Sequence, residues 1–387
     1  MESDSDSLRV LFIIPAFWRN GAVEFIVDLA DELALLRMKI EIFTFNKAKA
    51  HSRLPQQPIK TSVALETSQF RRHQLLYVLI KLIWPAASSD IIVLTWENGP
   101  FIWIPSLVAY VLRKPTVAIV QNNIQRSLVD YAQCDEKSFG RRALRWSYAQ
   151  ARAVVCVSEA LIASVEQEVG RQNVTAIPNG IDVERIRKLG KFPPPSMLMA
   201  DDQPIVLGLG RLAPQKGFDL LIRAHAAVLK RGIQHRLVLV GEGPEAQALL
   251  QLSAELGIAE SVIFLGYLPE PYSALACASL FCLSSRYEGF PLVLMETAVL
   301  GVPVVAADCL TGPREILADG LYGDLVEPES VGALSSAIER HFRDPARLRG
   351  KAQASASQAD RFSMRTCAQK YSRLLRQHGG KPGLCLH

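Results

Sequence analysis

The sequence predicts two α/β domains in tandem, each a parallel sheet wound with helices on both faces. Three observations carry the prediction. Short apolar runs rich in Val, Ile and Leu alternate with longer segments of helical spacing, the pattern of strands buried on both faces. The alternation breaks at Lys191-Phe192-Pro193-Pro194-Pro195 and then restarts; consecutive prolines neither extend a helix nor sit in a central strand. The length of 387 residues suits two or three domains, and the single break selects two.

The first run, residues 10–14, opens a strand–helix unit. Gly21 follows in a short loop, and Phe25, Ile26, Leu29, Leu33 and Leu36 recur at helical spacing. Residues 40–45, 91–95, 116–120, 153–157 and 174–177 read as further strands. After the prolines, 205–209 leads through a glycine-containing turn into a helix over 217–231. Strands at 236–240, 262–265, 280–283 and 304–306 continue the series, and a helix over 361–377 closes the chain. These elements place a first domain at 1–185, a linker at 186–203 and a second domain at 204–387 that includes the closing helix. Open parallel sheets take ligands beyond the carboxyl ends of their strands, where the strand order reverses. Two such domains set two ligand edges across one cleft, as a two-substrate enzyme requires. The arrangement alone fits a dehydrogenase, an epimerase or a binding protein equally.

Composition narrows the class. With 49% hydrophobic and 21% charged residues the chain is an ordinary globular protein, not a disordered one. Its aliphatic content supports a core without disulfide or metal staples. The net charge of +5 is too small for a dedicated nucleic-acid binder. The seven Cys are odd in number and irregular in spacing, and Cys156, Cys277, Cys282 and Cys309 lie in or beside apolar runs. They read as free thiols of a cytosolic protein, and the lack of a C-x-x-C pair argues against a cysteine zinc site. Residues 1–7 are acidic and Ser-rich, unlike a signal peptide, and no run of about 20 apolar residues exists to span a bilayer. A cytoplasmic location is expected.

The chemistry concentrates between residues 207 and 317. The stretch Gly208-Leu209-Gly210-Arg211-Leu212-Ala213-Pro214-Gln215-Lys216-Gly217 ends a strand in two glycines and follows them with two cations. Glycine admits close backbone approach, and the cations suit a polyanion at the mouth of a sheet. Read alone, the stretch fits a plain strand–helix turn equally well. A second stretch, Glu288-Gly289-Phe290-Pro291-Leu292-Val293-Leu294-Met295-Glu296, follows the strand at 280–283. Pro291 suits the first turn of a helix, which sets Glu288 in the entering loop and Glu296 in the second turn. Backbone N–H groups near Phe290 to Val293 then point out of the helix start, an anion site carrying about half a positive charge.

Glu288 and Glu296 stand at the E-x7-E spacing, and the surrounding residues resemble family 4 of the retaining GT-B glycosyltransferases. Ser284-Ser285-Arg286-Tyr287 leads into the first Glu, and Gly301-Val302-Pro303-Val304-Val305-Ala306 follows the second. Gly210-Arg211-Leu212 through Lys216-Gly217 is similar to the family's G-R-L-x-x-x-K-G element. Pro178-Asn179-Gly180-Ile181-Asp182 resembles its P-N-G-I/V-D junction, and Gly241-Glu242-Gly243-Pro244 its G-x-G-P turn. The resemblance is dense over 174–317. It implies a GT-B fold of two Rossmann-like domains facing a central cleft. It also implies that Arg211 and Lys216 hold the donor diphosphate, that Glu296 binds the nucleotide ribose and that Glu288 contacts the donor sugar. By the same resemblance, Gly210 and the backbone of Gly289, Phe290, Leu292 and Val293 complete the cradle, and Gly241 and Gly243 lie near the base. The family expectation is retention through front-side attack, with the leaving phosphate helping to accept the acceptor proton.

Elementary chemistry agrees with those roles. Breaking the anomeric C–O bond builds negative charge on the departing diphosphate, and groups that bind this charge best in the transition state accelerate the step. Two fixed cations and a helix N-terminus do so without a metal. No D-x-D stands in a suitable place, and Asp201-Asp202 falls in the linker. No metal or cofactor is therefore expected, the nucleotide-sugar being a substrate. Retaining glycosidases also use two carboxylates, about 5–5.5 Å apart. Residues eight apart rise about 12 Å along a helix, which suits two ends of one ligand better.

The acceptor side departs from the family pattern. Where family 4 often carries G-G-A-E, this chain has Asn20-Gly21-Ala22-Val23-Glu24, and Gly21 is the candidate for close approach of an acceptor. Where many members place a His after the fourth strand, it has Gln121-Asn122-Asn123, so Gln121 and Asn122 offer only hydrogen bonds. Residues 60–152 hold 12 Lys and Arg against 6 Asp and Glu, or +6, while the remainder holds 31 against 32, or −1. Arg71-Arg72-His73 precedes the apolar 75–84, and Arg141, Arg142, Arg145 and Trp146 form a second basic–aromatic cluster. Such a face suits the surface of an anionic membrane carrying a lipid-linked saccharide. The plain alternative is a core helix with a solvated basic edge. Cys309-Leu310-Thr311-Gly312-Pro313-Arg314-Glu315-Ile316 resembles a family 4 subset that uses UDP-hexoses or UDP-N-acetylhexosamines for bacterial surface glycans, with a GDP-sugar still open. The expected activity is hexosyl transfer from a nucleotide-sugar to a glycan or glycolipid. A UDP-sugar 2-epimerase on a similar scaffold and a noncatalytic nucleotide-sugar-binding subunit are the rivals.

Overall fold

The computed structural model describes residues 7–17, 20–47, 54–67, 74–96, 100–122, 139–170, 174–199 and 202–379. The chain divides into two compact units, Met1–Gly180 with Met364–His387, and Ile181–Ser363.

The first unit is built on seven strands: β1 (Arg9–Ile14), β2 (Lys39–Asn46), β3 (Lys60–Leu65), β4 (Ile91–Leu94), β5 (Thr116–Val120), β6 (Ala153–Cys156) and β7 (Val174–Ala176). They lie in the order β3-β2-β1-β4-β5-β6-β7, and every pair is parallel. The central strands are buried on both faces, which is why their sequences read as unbroken apolar runs. β3 carries no such run. It is an edge strand whose first four residues reach solvent, so Lys60-Thr61-Ser62 gives no apolar signal.

The second unit has six strands: β8 (Ile205–Leu209), β9 (Arg236–Val240), β10 (Val262–Gly266), β11 (Leu280–Leu283), β12 (Val304–Ala307) and β13 (Asp324–Val326). Their order is β10-β9-β8-β11-β12-β13, again all parallel. β13, a three-residue edge strand, is the other one without an apolar run in the sequence. The helix Phe218–Lys230 covers one face, burying Phe218, Leu221, Ile222 and Val228. In both units the strand order reverses beside the first strand, between β1 and β4 and between β8 and β11.

Two boundaries differ from expectation. The closing helix, Met364–Gly379, belongs to the first unit rather than the second. Its buried face of Cys367, Ala368, Tyr371 and Leu375 packs on the helix Gly21–Leu35, with the Tyr371 and Phe25 rings 6.3 Å apart. Gly379 lies against Leu8 and Ile91. Periodicity shows that a helix has an apolar face, not which sheet covers it. The chain leaves and re-enters this unit at one place. A Cβ added at Gly180 would stand 2.6 Å from the Met364 Cα, which accounts for the glycine of Pro178-Asn179-Gly180. The segment read as a linker is also structured at its start. The helix Val183–Leu189, capped by Asp182 Oδ1 accepting from the Arg185 N–H at 3.0 Å, packs on the helix Leu292–Leu300 within the second unit.

Cys156, Cys277, Cys282, Cys309 and Cys367 are free thiols; Cys134 and Cys385 lie outside the described residues, as do Asn123, Asp201 and residues 71–73.

Candidate functional site

The carboxyl ends of β8, β9, β11 and β12 send out four loops that bind one another closely. The β9 loop lies on the β8 loop: Gly210 N–H donates to Val240 O at 2.9 Å, Leu212 N–H to Glu242 O at 2.9 Å, and Glu245 N–H to Leu212 O at 3.0 Å. Only glycine fits there. A Cβ at Gly241, whose φ is +140°, would stand 1.9 Å from Gly210 O, and one at Gly243 2.2 Å from Leu212 O. Gly210, Gly241 and Gly243 are thus brought together by backbone contact.

The other side of the β8 loop is tied to the β11 loop. Arg286 N–H donates to Gln215 O at 2.8 Å, Gln215 Nε2 to Tyr287 O at 3.1 Å, and Ser284 Oγ to Lys216 O at 2.9 Å. The Arg286 guanidinium grips Asp219 with two bonds of 2.9 and 2.7 Å and reaches Pro214 O at 2.7 Å. Burial by itself raises the Asp219 carboxyl, but the bonds from Arg286 outweigh it and hold the group below the usual carboxylate range. Sequence reasoning quoted Arg286 only as part of a motif. Its partner is 67 residues away, and no local signal joins the two.

This framework brings Lys216 and Glu288 into contact, Nζ to Oε1 at 2.6 Å. Glu288 is 5% exposed. Ser285 Oγ donates to the same oxygen at 2.6 Å. Arg211, on the same β8 loop, is exposed and has no ion pair or side-chain hydrogen bond among the described residues. Pro291 sits one position before the helix Leu292–Leu300, as its N-cap, rather than within the first turn. Leu292 and Val293 therefore supply the first amides of the helix, which lack intrahelical partners. Gly289 and Phe290 are buried in the loop that leads in, and Glu296 is half-buried on the second turn. The Lys216–Glu288 pair and a helix start thus lie where the sheet reverses its strand order, with the exposed Arg211 on the same β8 loop as Lys216. Such an arrangement suits an anion, with a carboxylate beside it.

A cavity of about 630 Å³ lies toward the β13 edge, lined among others by Asp308, Arg314, Asp324, Arg340, Arg347 and Lys351. Its charges answer one another. Asp324 receives Arg340 at 3.2 Å, Lys351 at 3.0 Å and Arg347, while Arg314 pairs with Asp308 and Asp319.

In the first unit the expected acceptor residues occupy the carboxyl edge but are spent differently. Gly21 opens the helix Gly21–Leu35 rather than lying in a loop; the cap is Asn20, whose Oδ1 accepts from Val23 N–H at 2.8 Å. Gln121, 6% exposed, accepts from Asn179 Nδ2 at 3.3 Å through its Oε1. Asn122 is half-buried beside it.

The helix Leu75–Ser88 buries Val78, Leu82, Pro85 and Ala86 and turns an apolar face outward. Leu76 is 69% exposed, Ile80 59% and Trp84 76%, with Tyr77 and Ile83 between them. Leu107, Tyr110 and Val111 of the adjoining helix Pro100–Val111 continue the exposed apolar surface, as does Phe139 of the helix Phe139–Gln150. The basic cluster expected there is smaller than its sequence suggests. Arg141 and Arg145 both bond the buried Glu168, at 2.6 and 3.1 Å, so one of their two charges is answered inside the unit. Lys81, set over the Tyr77 ring at 5.5 Å, Arg142 and Arg145 remain at the surface. Among the described residues no helix is long and apolar enough to cross a membrane.

Comparison with known proteins places these features in a family. Residues 194–359 match the model of Glycosyl transferases group 1, and residues 19–185 match Glycosyltransferase Family 4. A 197-residue stretch, 50% of this chain, is 34% identical to a Campylobacter jejuni N-acetylgalactosamine-N,N'-diacetylbacillosaminyl-diphospho-undecaprenol 4-alpha-N-acetylgalactosaminyltransferase, of which it covers 52%. A 184-residue stretch, 45% of this chain, is 34% identical to a GDP-mannose-dependent alpha-(1-6)-phosphatidylinositol monomannoside mannosyltransferase of Mycolicibacterium smegmatis, of which it covers 48%. The matched segments span about half the length of these curated relatives, 52% and 48%. Among solved structures, Anabaena Alr3699/HepE in complex with UDP and glucose shares the fold at a TM-score of 0.80 and 23% identity, over 95% of this chain and 99% of that one.

Proposed function

Because this chain belongs to the GT-B glycosyltransferases of group 1 and family 4, we propose that it moves a hexose or N-acetylhexosamine from a UDP-sugar to a glycan or glycolipid acceptor, with retention at the anomeric carbon. The observation that carries the reading is the Lys216–Glu288 contact beside the start of the helix Leu292–Leu300 at the reversal point of the second sheet, with Arg211 on the same loop as Lys216. Arg211, Lys216 and the first helix amides take the diphosphate and the charge that grows on it, so no metal is needed. Glu288 takes the sugar and Glu296 the ribose. Gly241 and Gly243 make room for the base, and the first unit, with Gly21, Gln121 and Asn122 at its edge, takes the acceptor.

UDP is favoured over GDP by the Asp308-Cys309-Leu310-Thr311-Gly312-Pro313 segment and by the UDP bound to HepE; the Mycolicibacterium relative uses GDP-mannose. The bacillosaminyl-diphospho-undecaprenol relative supports a lipid-linked acceptor and a place in bacterial surface-glycan synthesis. The exposed apolar face around Trp84, with Lys81 and Arg142 near it, supports docking on an anionic cytoplasmic leaflet where such an acceptor lies.

The test is nucleotide release from a panel of UDP- and GDP-sugars in EDTA, with and without a lipid-linked saccharide. Acceptor-dependent UDP release with an unchanged anomeric configuration is expected. Conversion of the free UDP-sugar without transfer would instead identify a 2-epimerase, and the absence of any nucleotide binding a scaffold protein.

A further inference from the structure

Glu288 lies in a loop, where nothing in its own backbone gives its carboxylate a fixed direction. Its neighbours do. Lys216 Nζ and Ser285 Oγ both reach Oε1 at 2.6 Å, and Oε2 has no partner among the described residues. Thr311 Oγ1 donates to the Glu288 peptide carbonyl, and Cys309 Sγ donates to Ser285 O at 3.0 Å. Gly312, with φ +90°, lets the β12 loop lie directly on the β11 loop: a Cβ there would stand 2.6 Å from Gly289 O and 2.7 Å from Pro291 Cδ. Ser285, Cys309 and Thr311 are all buried. Burial, and then the nearby Glu288 charge, push the Cys309 thiol up to about 12, so it remains a neutral donor at any working pH.

We propose that Ser285, Cys309 and Thr311 are positioning residues that aim the Glu288 carboxylate, and that the β12 loop thereby sets which donor sugar is accepted. The inference rests on the donor-site reading above. With Oε1 filled by two donors, only Oε2 is left to accept from a sugar hydroxyl. A carboxylate fixed at one oxygen and at its own peptide cannot swing to follow a hydroxyl that points elsewhere. The wrong epimer then leaves buried polar groups unpaired, which is how a hydrogen-bonding site rejects an analogue.

The experiment compares wild type with Thr311→Val, Thr311→Ser and Ser285→Ala. Titration calorimetry gives UDP affinity, and transfer is measured with a UDP-hexose and its C4 epimer. Thr311→Val is expected to lower kcat/KM for the preferred sugar about tenfold and to narrow the ratio between epimers, with UDP affinity kept within about twofold. Thr311→Ser, which retains the hydroxyl, restores transfer to within about threefold of wild type. Ser285→Ala, which adds no bulk to the core, shows the same loss and serves if Thr311→Val is unstable. Unchanged transfer and sugar preference in Thr311→Val and Ser285→Ala overturn the proposal. A parallel fall of UDP affinity and transfer overturns it too, since that marks residues that only hold the fold. A wild type that binds no UDP overturns the donor-site reading, and the proposal with it.

Discussion

The two sheets share a winding and a reversal point, yet their carboxyl edges are built differently. On the second sheet four loops are locked by backbone and side-chain hydrogen bonds and by glycines that admit no other residue, and a buried ion pair lies among them. On the first, the Asn20 and Gln121 side chains cap a helix and bond Asn179, and the conspicuous feature is an exposed apolar helix face. A rigid edge suits a small ligand of constant shape, such as a nucleoside diphosphate. An apolar surface suits a partner that is itself a surface. Under the proposed function the difference between the units corresponds to a division between donor chemistry and acceptor delivery.

The largest expected effect breaks the donor half of that comparison. Arg211→Ala removes an exposed cation that has no ion pair among the described residues and should lower kcat about 10²–10³-fold while leaving the melting temperature unchanged. Lys216→Ala should cost as much in rate but also in stability, because it leaves the buried Glu288 carboxylate without its cation. Thermal melts beside steady-state rates separate the two.

The acceptor half breaks next. Trp84→Glu, or Ile80→Glu, should weaken binding to anionic vesicles on the order of tenfold in a flotation assay while transfer to a soluble acceptor stays at the wild-type level. Equal flotation of wild type and both variants would remove the membrane from the account.

A smaller effect sharpens the view of the second unit as a rigid block. His225 Nδ1 and His235 Nε2 are 2.8 Å apart in its core, and His235 Nδ1 donates to Ile233 O at 3.0 Å. With His235 Nδ1–H spent on Ile233 O, the neutral pair has His225 Nδ1–H donating to His235 Nε2, and Ser261 Oγ lies 2.8 Å from His225 Nε2. Burial first, and then the neighbouring His235, lower His225 from 6.5 to about 3. The folded pKa is below the unfolded one, so the unfolded chain binds the proton first. The neutral pair therefore supports the fold above about pH 6.5, and that support is lost progressively as pH falls toward 3. The carboxylates held low by cations, such as Asp219, act in the same direction but only below the usual carboxylate range. The melting temperature should thus decline between pH 6.5 and 4.5, before the carboxylates titrate, and His225→Gln should make that arm shallower, with His235 and His341, also held low by burial, keeping part of it.

Legibility followed burial and chain distance. Strands flanked on both sides, such as β8, β9 and β11, coincide with their apolar runs, because double burial forces every position to be apolar. The edge strands β3 and β13 left no run to read. The closing helix showed its amphipathic face but not that Phe25 and Leu8, at the opposite end of the chain, would cover it. Arg211, Lys216, Glu288 and Glu296 were legible because motif spacing is local. Arg286–Asp219 and the Thr311 and Cys309 bonds to the Glu288 loop were not, because each joins loops that only the sheet order brings side by side.

The central claim is that the second sheet's edge is a metal-independent nucleoside diphosphate site. Calorimetric titration of UDP into wild type and Arg211→Ala, in EDTA, tests it most directly. Saturable binding by wild type is predicted, weakened about 10–100-fold in Arg211→Ala, the size of a hydrogen bond to a charged group. Equal affinity in the two proteins, or no binding by wild type, would contradict it.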